Sequence, residues 1–329
     1  MRHAGYELTR EPVMTAHKVA IIVPVYNVAP FLKTCLDSIL HQTIKDFLCY
    51  IVDDGSTDGS ELICDEYQKR DNRVIVVHQK NKGVSAARNA ALDKVRKDNL
   101  AEFITFIDSD DLVAPTYLEE LLNGSLNGAQ ISAVSFLRFS NDYPFSEETH
   151  KATWDIKSPH DYYLKHAETR SQAWGKLYPA HYLNDVRFPE GEINEDELTS
   201  YKVIFKANQI ASTSTPLYAY RYRVGSIMNS PWSTKRLARI EAYRNQIHFF
   251  STLGHNDLVN DLRSWLIIDL TDAVRNLKKI GERRKAEELR RELANLLKVG
   301  KFPFMENYLA YKTAHPIFSK VLKVFSSIK

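Results

Sequence analysis

Cysteine is scarce in this chain of 329 residues, and its three copies follow no pairing or metal-binding pattern. Cys35, Cys49 and Cys64 are an odd number, lie within apolar runs and form no CxxC pair. Such a set argues against a disulfide framework and against a zinc site. The composition therefore favours a reducing compartment.

Long apolar runs and an excess of one charge are also missing. No stretch reaches the roughly 18 to 20 uninterrupted apolar residues of a membrane-spanning helix, and residues 1–18 contain no apolar core of a signal peptide. The 44 Lys and Arg residues nearly balance the 41 Asp and Glu residues. The resulting formal net charge of +3 predicts no general attraction to nucleic acid. We therefore expect a cytoplasmic protein without a nucleic-acid partner.

Strand and helix patterns alternate along the first third of the chain. Four apolar segments typical of buried strands lie at 18–25, 47–53, 73–79 and 103–108. The residues between them carry helical patterns, and Pro30 opens the first with Leu32, Leu36, Ile39 and Leu40 spaced as one buried stripe. This alternation predicts an α/β fold, with a mainly parallel, Rossmann-like sheet flanked by helices.

Acidic turns follow two of these strands. Asp53 and Asp54 end the second strand, and Asp108, Asp110 and Asp111 end the fourth. Because ligands bind beyond the carboxyl ends of parallel strands, we expect all five carboxylates to face one crevice. Gathered like charges favour a bound cation, and hard oxygen ligands suit Mg²⁺ or Mn²⁺. The alternative is that these residues only form turns and cap helices.

Motifs of several other enzyme classes are absent from the sequence. It contains no GxGxxG fingerprint, no GxxxxGK[ST] loop and no HExxH, so a dinucleotide oxidoreductase and a Walker-type ATPase are not supported. Lys82 and Arg88, near the start of a helix predicted over 83–95, supply positive charge for a phosphate-bearing ligand.

Four blocks of sequence, in this order, resemble family 2 glycosyltransferases of the GT-A fold, which use a nucleotide-diphospho-sugar donor. The blocks are VPVYN (23–27), VDDGSTDGS (52–60), NKGVSAARNAAL (81–92) and FIDSDD (106–111). The resemblance implies that Pro24 and Tyr26 flank the nucleotide base and that Asp54 accepts hydrogen bonds from its ring. Apart from the motif, Tyr26 would be an aromatic residue on the rim of the sheet.

The same resemblance assigns the positive and negative groups around the diphosphate. It implies that Arg88 lies near the base and diphosphate, whereas without the motif Arg88 would be a surface helix residue paired with Asp93 or another acid. Asp108 and Asp110 stand at the family's DXD motif, which binds Mn²⁺ or Mg²⁺. Whether Asp110 or Asp111 is the direct metal ligand stays open.

A later block resembles the acceptor side of bacterial family 2 enzymes. It comprises WGKLY, RFPEG and NED within 173–207, and implies that Asp196 is the catalytic base, with Glu195 beside it as an orienting or metal-linked group. The alternative is that this acidic run only starts the helix predicted over 194–205.

Three further donor-binding residues follow from the comparison. Trp174 would offer an aromatic platform to the sugar, and Lys176 would approach the diphosphate; the alternatives are a core tryptophan and a solvated lysine. Arg221 and Arg223 alternate along a predicted strand and so point the same way, and we favour Arg223 as the residue that closes over the leaving diphosphate.

The chain divides into an N-terminal arm (1–17), a GT-A catalytic domain (18–230) and a C-terminal region of three amphipathic helices (231–329). Residues 298–329 are rich in lysine and aromatic residues. They suit a segment that rests on an anionic membrane, or one that packs on the domain or forms a homodimer contact.

The predicted function is a metal-dependent inverting glycosyltransferase in cell-surface polysaccharide synthesis. It would move a sugar from a nucleotide-diphospho-sugar, with UDP as the nucleotide favoured by the resemblance, to a hydroxyl of a glycan or lipid-linked acceptor. The alternatives are a nucleotidyltransferase and an inactive nucleotide-sugar-binding scaffold of a polysaccharide assembly complex.

Overall fold

A computed structural model describes residues 19–126, 128–140, 144–145, 151–222 and 232–299. Three parts of the sequence prediction lie outside the described residues: the N-terminal arm, Arg223 and the segment from residue 300 onward.

The described chain forms one mixed sheet of nine strands. The strands are β1 (Val19–Val25), β2 (Phe47–Asp53), β3 (Val74–His78), β4 (Phe103–Phe106), β5 (Leu112–Val113), β6 (Ile131–Phe139), β7 (Asp155–Lys157), β8 (Lys176–Pro179) and β9 (Ile210–Arg221). Their order is β3-β2-β1-β4-β8-β6-β9-β5, and β7 pairs with β9. Strands β1 to β4 are parallel, as is the pair β6 and β9. Strand β8 runs antiparallel between β4 and β6, so it joins the two parallel parts.

Helices cover both faces of this sheet. They are α1 (Ala29–Leu40), α2 (Ser60–Arg70), α3 (Val84–Asp98), α4 (Tyr117–Leu126), α5 (Pro159–Lys165), α6 (Ser200–Ile204), α7 (Leu237–Thr252), α8 (Asn256–Lys279) and α9 (Arg283–Val299). Helix α1 has proline in its first turn and buries Leu32, Leu36 and Ile39, as its sequence spacing predicts. The predicted α/β architecture with C-terminal helices is therefore confirmed.

Alternate residues of the central strands pack into two cores, because successive side chains of a strand point to opposite faces. On β1, Ile21 and Val23 join one core with α1 and α4, whereas Ile22 joins the other core with α3. That second core also contains Phe250 of α7 and Leu266 of α8. The C-terminal helices thus pack on the sheet's own core rather than forming a separate one.

Two segments differ from the sequence prediction. The connection predicted as irregular over 141–161 contains β7 and the start of α5. The helix predicted over 194–205 is shorter, because Asn194 adopts a left-handed backbone (φ 60°) and regular helix begins only at Ser200. Residues 195–199 form turns instead, which places their carboxylates on an irregular segment.

Two predictions about the whole chain can be compared with the structure. All three cysteines are buried free thiols. Among the helices that the structure describes, none is long and apolar enough to cross a lipid bilayer.

Candidate functional site

The candidate site lies at the carboxyl ends of β1, β2 and β4. Because β1 pairs in parallel with both neighbours, its last residues, Asp53 of β2 and the turn after β4 come to the same edge of the sheet. Asp54 and Asp108 therefore follow strands that end at the same edge of the sheet, where ligands bind in open α/β sheets.

Arg88 joins two distant blocks of sequence at this edge. Its side chain is buried on α3 (4% exposed), where Nη2 donates to Oδ1 of Asp108 at 2.9 Å and Nη1 donates to Oε1 of Glu195. The guanidinium also lies over the Phe188 ring, 5.4 Å from its centroid. Arg88 is therefore a buried bridge between the DSDD turn and the NED block. The alternative of a surface pair with Asp93 is wrong.

The charges around Arg88 keep it ionised. Burial alone would lower the pKa of Arg88, but the neighbouring Glu195 and Asp108 carboxylates raise it above its usual range. A permanently charged guanidinium in this position holds two carboxylates that would otherwise repel each other. The sequence motif indicated Arg88 but gave neither of these partners.

Asp196 lies beside this bridge in a fixed conformation. Its Oδ1 accepts a hydrogen bond from the Glu197 backbone N–H at 2.9 Å, and its carbonyl accepts from Thr199 and Ser200 N–H at 3.1 and 2.9 Å. Burial, and then the charges of Glu195 and Glu197, raise the pKa of Asp196 to about 8. A carboxyl group with that pKa can take up a proton near neutral pH, which general-base chemistry requires.

A buried polar network fixes the residue after Asp196. The Glu197 carboxylate accepts from Ser171 Oγ at 2.8 Å and from Gln246 Nε2 at 2.9 Å, and Gln246 Nε2 also lies 2.7 Å from the Glu197 carbonyl oxygen. Tyr163 donates its hydroxyl to Gln246 Oε1 at 2.6 Å. Helix α7 is thereby attached to the candidate base segment.

Sequence reasoning missed this network, although one signal for it exists. Gln246 lies in the apolar stripe of α7, three residues after Tyr243 and four before Phe250, and it is 0% exposed. A glutamine within an apolar helical stripe requires buried hydrogen-bond partners. The identity of those partners was not readable from spacing.

The DSDD turn contains one structural carboxylate. Asp111 is 1% exposed, and its two oxygens accept hydrogen bonds from the Tyr218 hydroxyl at 2.7 Å and the Arg221 backbone N–H at 2.8 Å. Burial, then the charges of Asp110 and Asp108, raise the pKa of Asp111. The prediction of Asp111 as a candidate metal ligand does not fit this geometry, because both of its oxygens accept hydrogen bonds from β9.

Asp108 and Asp110 are the more accessible acids of this turn. The Asp108 side chain is 28% exposed, and Asp110 is half-buried. Throughout the described ranges, no three His, Cys, Asp or Glu side chains cluster closely enough to hold a metal ion by themselves. Two carboxylates with additional phosphate oxygens and water fit the way Mg²⁺ is commonly bound.

Asp54 anchors the loop that borders the predicted nucleotide pocket. Its carboxylate is 2% exposed and accepts from Gln79 Nε2 at 2.7 Å, Lys82 N at 2.9 Å and Gly83 N at 2.7 Å. Gly83 has φ 92°, a conformation that favours glycine. Asp54 therefore orders residues 79–83, and its predicted hydrogen bond from the base ring would have to compete with these contacts.

The two predicted base-flanking residues of β1 differ in exposure. Pro24 is buried within the strand and pairs with Val52 of β2. Tyr26, just past the strand end, is 49% exposed at the same edge of the sheet. Its ring is therefore available to a planar ligand.

Trp174 and Lys176 do not occupy the predicted positions. Trp174 is 6% exposed and stacks on Tyr218, with ring centroids 4.3 Å apart, so it is a core residue rather than a sugar platform. Lys176 is 1% exposed, and its Nζ donates to the carbonyls of Thr169 and Gln172 at 2.5 and 2.7 Å. Burial lowers the pKa of Lys176 to about 7, opposed by the charge of Asp196. It is neither solvated nor presented to a diphosphate.

Arg221 supports the DSDD turn from β9. Its Nε donates to the Asp110 carbonyl at 2.7 Å, and its guanidinium lies over the rings of Phe31 and Phe139, at 4.9 and 4.3 Å from their centroids. Arg221 is 8% exposed. Its position thus agrees with a supporting role, while the preferred Arg223 lies outside the described residues.

Comparison with known proteins identifies the family. The family model described as glycosyl transferase family 2 matches residues 20–180. The glycosyltransferase GlyA of Streptococcus pneumoniae is 33% identical over 72% of this chain and 35% of its own length. The putative glycosyltransferase EpsH of Bacillus subtilis is 34% identical over 65% of this chain and 64% of its own length. The glycosyltransferase GlyG of S. pneumoniae is 31% identical over 64% of this chain and 73% of its own length. The chain belongs to glycosyl transferase family 2, as predicted. Its match spans about a third of GlyA and just under two thirds of EpsH.

Solved structures share the fold. S. aureus TarS 1–349 in complex with UDP-GlcNAc matches with a TM-score of 0.55 and 21% identity, over 84% of this chain and 92% of that one. The mannosyltransferase PcManGT from Pyrobaculum calidifontis, in complex with GDP-Man and Mn²⁺, matches with a TM-score of 0.51 and 18% identity, over 91% of this chain and 81% of that one. The predicted GT-A fold is therefore confirmed.

Proposed function

We propose that this protein is a metal-dependent inverting glycosyltransferase of cell-surface polysaccharide synthesis. It moves a sugar from a UDP-sugar to a hydroxyl of a glycan or lipid-linked acceptor. The observation that carries the proposal is the buried Arg88 bridge, which holds the acid of the DXD turn and Glu195, the neighbour of Asp196, at one edge of the sheet. Donor-side and acceptor-side motifs thus meet around one guanidinium.

The donor nucleotide lies across the ends of β1 and β2 in this proposal. Tyr26 stacks on the base, because its ring is half-exposed at the strand end, and Pro24 shapes the pocket floor. Asp54 contributes to base binding in two ways: it orders the loop beside the base, and it accepts a hydrogen bond from the base ring. Arg88, fixed and charged, offsets the negative charge of Asp108 beside the diphosphate.

Asp110, with Asp108 beside it, is the residue we assign to the metal. Asp111 is assigned instead to holding the turn, because Tyr218 and Arg221 already occupy its oxygens. A bound Mn²⁺ or Mg²⁺ would neutralise charge that develops on the departing diphosphate. The Mn²⁺ and GDP-Man in the PcManGT complex support a divalent ion and a nucleotide-sugar here.

Asp196 takes the proton of the acceptor hydroxyl. As that oxygen forms its bond to the anomeric carbon, the bond from this carbon to the diphosphate oxygen breaks, and the nucleoside diphosphate leaves with the electron pair. One displacement of this kind inverts the anomeric centre. The Glu195 carboxylate accepts from Arg88 and so orients the guanidinium. The Glu197 backbone N–H donates to the Asp196 carboxylate and holds it in position.

The test is a screen of UDP- and GDP-sugars with and without Mn²⁺, read as released nucleoside diphosphate and as thermal stabilisation. We expect one donor class to be turned over, only with the metal present. Binding without release would indicate the inactive scaffold instead. The absence of both binding and release for every donor would contradict the proposal.

A further inference from the structure

A cavity lies away from the carboxyl ends of β1 and β4. It has a volume of about 430 Å³ and is bordered by β6, β7 and β9 together with α5 and the loop after it. Ser135 on its wall is four residues before Phe139, which pairs with Arg221 beside the DSDD turn. At about 3.3 Å per strand residue, the cavity is on the order of 13 Å from that turn. It is therefore distinct from the crevice described above.

Hydroxyl groups dominate the cavity wall, accompanied by two aromatic rings. The hydroxyl-bearing residues of small size are Ser135, Thr153, Thr169, Ser212, Thr213 and Ser214. The rings belong to Trp154 and Tyr162. Side-chain hydroxyls can both donate and accept hydrogen bonds, and aromatic rings offer apolar faces. This combination is complementary to a ring that carries hydroxyls on its rim and C–H groups on its faces.

The charged groups of the cavity neutralise one another. Lys157 Nζ lies 2.5 Å from an Asp155 oxygen and donates to Ser212 Oγ at 3.1 Å. Burial lowers the pKa of His166, so this imidazole is neutral near pH 7. Its Nδ1 lies 3.0 Å from the Tyr162 carbonyl oxygen, which can only accept, so Nδ1 carries the proton and Nε2 is the acceptor. The wall thus favours a neutral polar ligand over an anion.

Two further features indicate that this cavity is a binding site rather than an incidental surface depression. In the part of the chain that the structure describes, the buried Trp154 indole N–H has no hydrogen-bond partner. Leaving a buried donor without a partner is unfavourable, so an oxygen atom of a ligand or of water is expected to accept from it. The pairing of β6 with β9 is also interrupted beside Ser135, where β9 bulges through 213–215. Bulges of this kind are enriched next to binding sites.

The cavity is linked to the acceptor side of the candidate site. Lys176 donates to the Thr169 carbonyl at the cavity wall, and Lys176 and Asp196 interact electrostatically across the buried region between them. We infer that the cavity is an acceptor subsite that binds a neutral sugar ring of the acceptor glycan, remote from the ring that reacts. This inference rests on the proposed function and specifies its acceptor as an oligosaccharide.

The test uses saturation-transfer NMR with the full chain, with UDP and Mn²⁺ added to fill the donor crevice. The probes are maltotriose, cellotriose, chitotriose and mannotriose. We expect at least one of them to bind wild-type protein. Ser214→Tyr should weaken that binding at least tenfold, because Ser214 is an exposed wall residue whose enlargement fills the cavity without disturbing the core. Trp154→Phe should weaken it because the indole donor is lost.

Ser251→Tyr is the matched control, since Ser251 is exposed on α7 and outside the cavity wall. It should bind the trisaccharide as wild type does. The inference is overturned if no trisaccharide binds, if Ser214→Tyr binds as well as the control, or if a UDP-sugar displaces the trisaccharide from the cavity. Donor hydrolysis, measured on the same protein preparations with Mn²⁺ but without added UDP, separates the two ideas: trisaccharide binding without hydrolysis of any donor leaves a sugar site but removes the proposed transferase.

Discussion

Replacing Gln246 by leucine should uncouple helix α7 from the candidate base. Gln246→Leu removes the two hydrogen bonds from Nε2 to Glu197 and the one that Oε1 accepts from Tyr163. Leucine is similar in size, so the change deletes polar contacts without opening a large cavity. The Glu197 carboxylate keeps only the Ser171 bond among these partners.

The size of the effect follows from the three lost bonds. Each buried intramolecular hydrogen bond contributes about 1 kcal/mol net, and bonds to a charged group contribute more, so we expect a loss of about 3–4 kcal/mol. At about 2.1 cal/mol/K of unfolding entropy per residue, a chain of 329 residues shifts its melting temperature by about 1.5 °C per kcal/mol, so the melting temperature should fall by about 5 °C. Because Glu197 N–H orients the Asp196 carboxylate, kcat should fall more than KM changes.

Differential scanning fluorimetry and nucleoside diphosphate release measure the two effects. Asn245→Leu is the matched control, since Asn245 is the exposed neighbouring residue on the same helix. It should change neither the melting temperature nor kcat appreciably. The reasoning is refuted if Gln246→Leu melts at the wild-type temperature, or if it loses stability while kcat, measured well below that temperature, is unchanged.

Three further predictions concern pH, metal and membrane. A base acts when it is deprotonated, and the pKa of Asp196 is raised to about 8. In a pH–rate profile, kcat/KM should therefore rise about tenfold per pH unit below pH 8 and level off above it. A flat profile from pH 6 to 9 would exclude Asp196 as the base. Asp110→Asn should raise the Mn²⁺ concentration needed for half-maximal activity, whereas Asp111→Asn should mainly lower the melting temperature, and the reverse pattern would exchange their roles. If residues 298–329 rest on anionic membranes, the full-length protein should sediment with phosphatidylserine liposomes and a chain ending at Gly300 should not. Equal sedimentation of the two would exclude residues 298–329 as the membrane-binding segment.

Much of the fold was predictable because it depends on local pattern. The apolar runs that became β1, β2 and β4 are buried on both faces, and such strands have a strong sequence signature. The acidic turns after β2 and β4 were placed at one edge by the rule for parallel sheets alone. The family resemblance then supplied the identities of Arg88 and the DSDD turn.

Other features depended on contacts that local sequence does not contain. Asp110 and Asp111 are adjacent, yet only Asp111 meets Tyr218, 107 positions away in sequence. The family resemblance assigned Trp174 and Lys176 to the donor, but Trp174 stacks on Tyr218 and every residue of β8, including Lys176, is buried. Local sequence does not reveal these contacts. The turn at 195–199 replaced a predicted helix because Arg88 binds Glu195, and Ser171 and Gln246 bind Glu197; these tertiary hydrogen bonds outweighed helix propensity.

The central claim is that Asp196 is the base of a site that Arg88 assembles. Its most direct test is the rate of nucleoside diphosphate release from the donor selected by the screen, measured at pH 8.5 with Mn²⁺ and an accepting glycan. Asp196→Asn should lower kcat by at least 10²-fold with little change in donor binding, while the exposed control Asp46→Asn retains the wild-type rate. Wild-type turnover by Asp196→Asn would contradict the account.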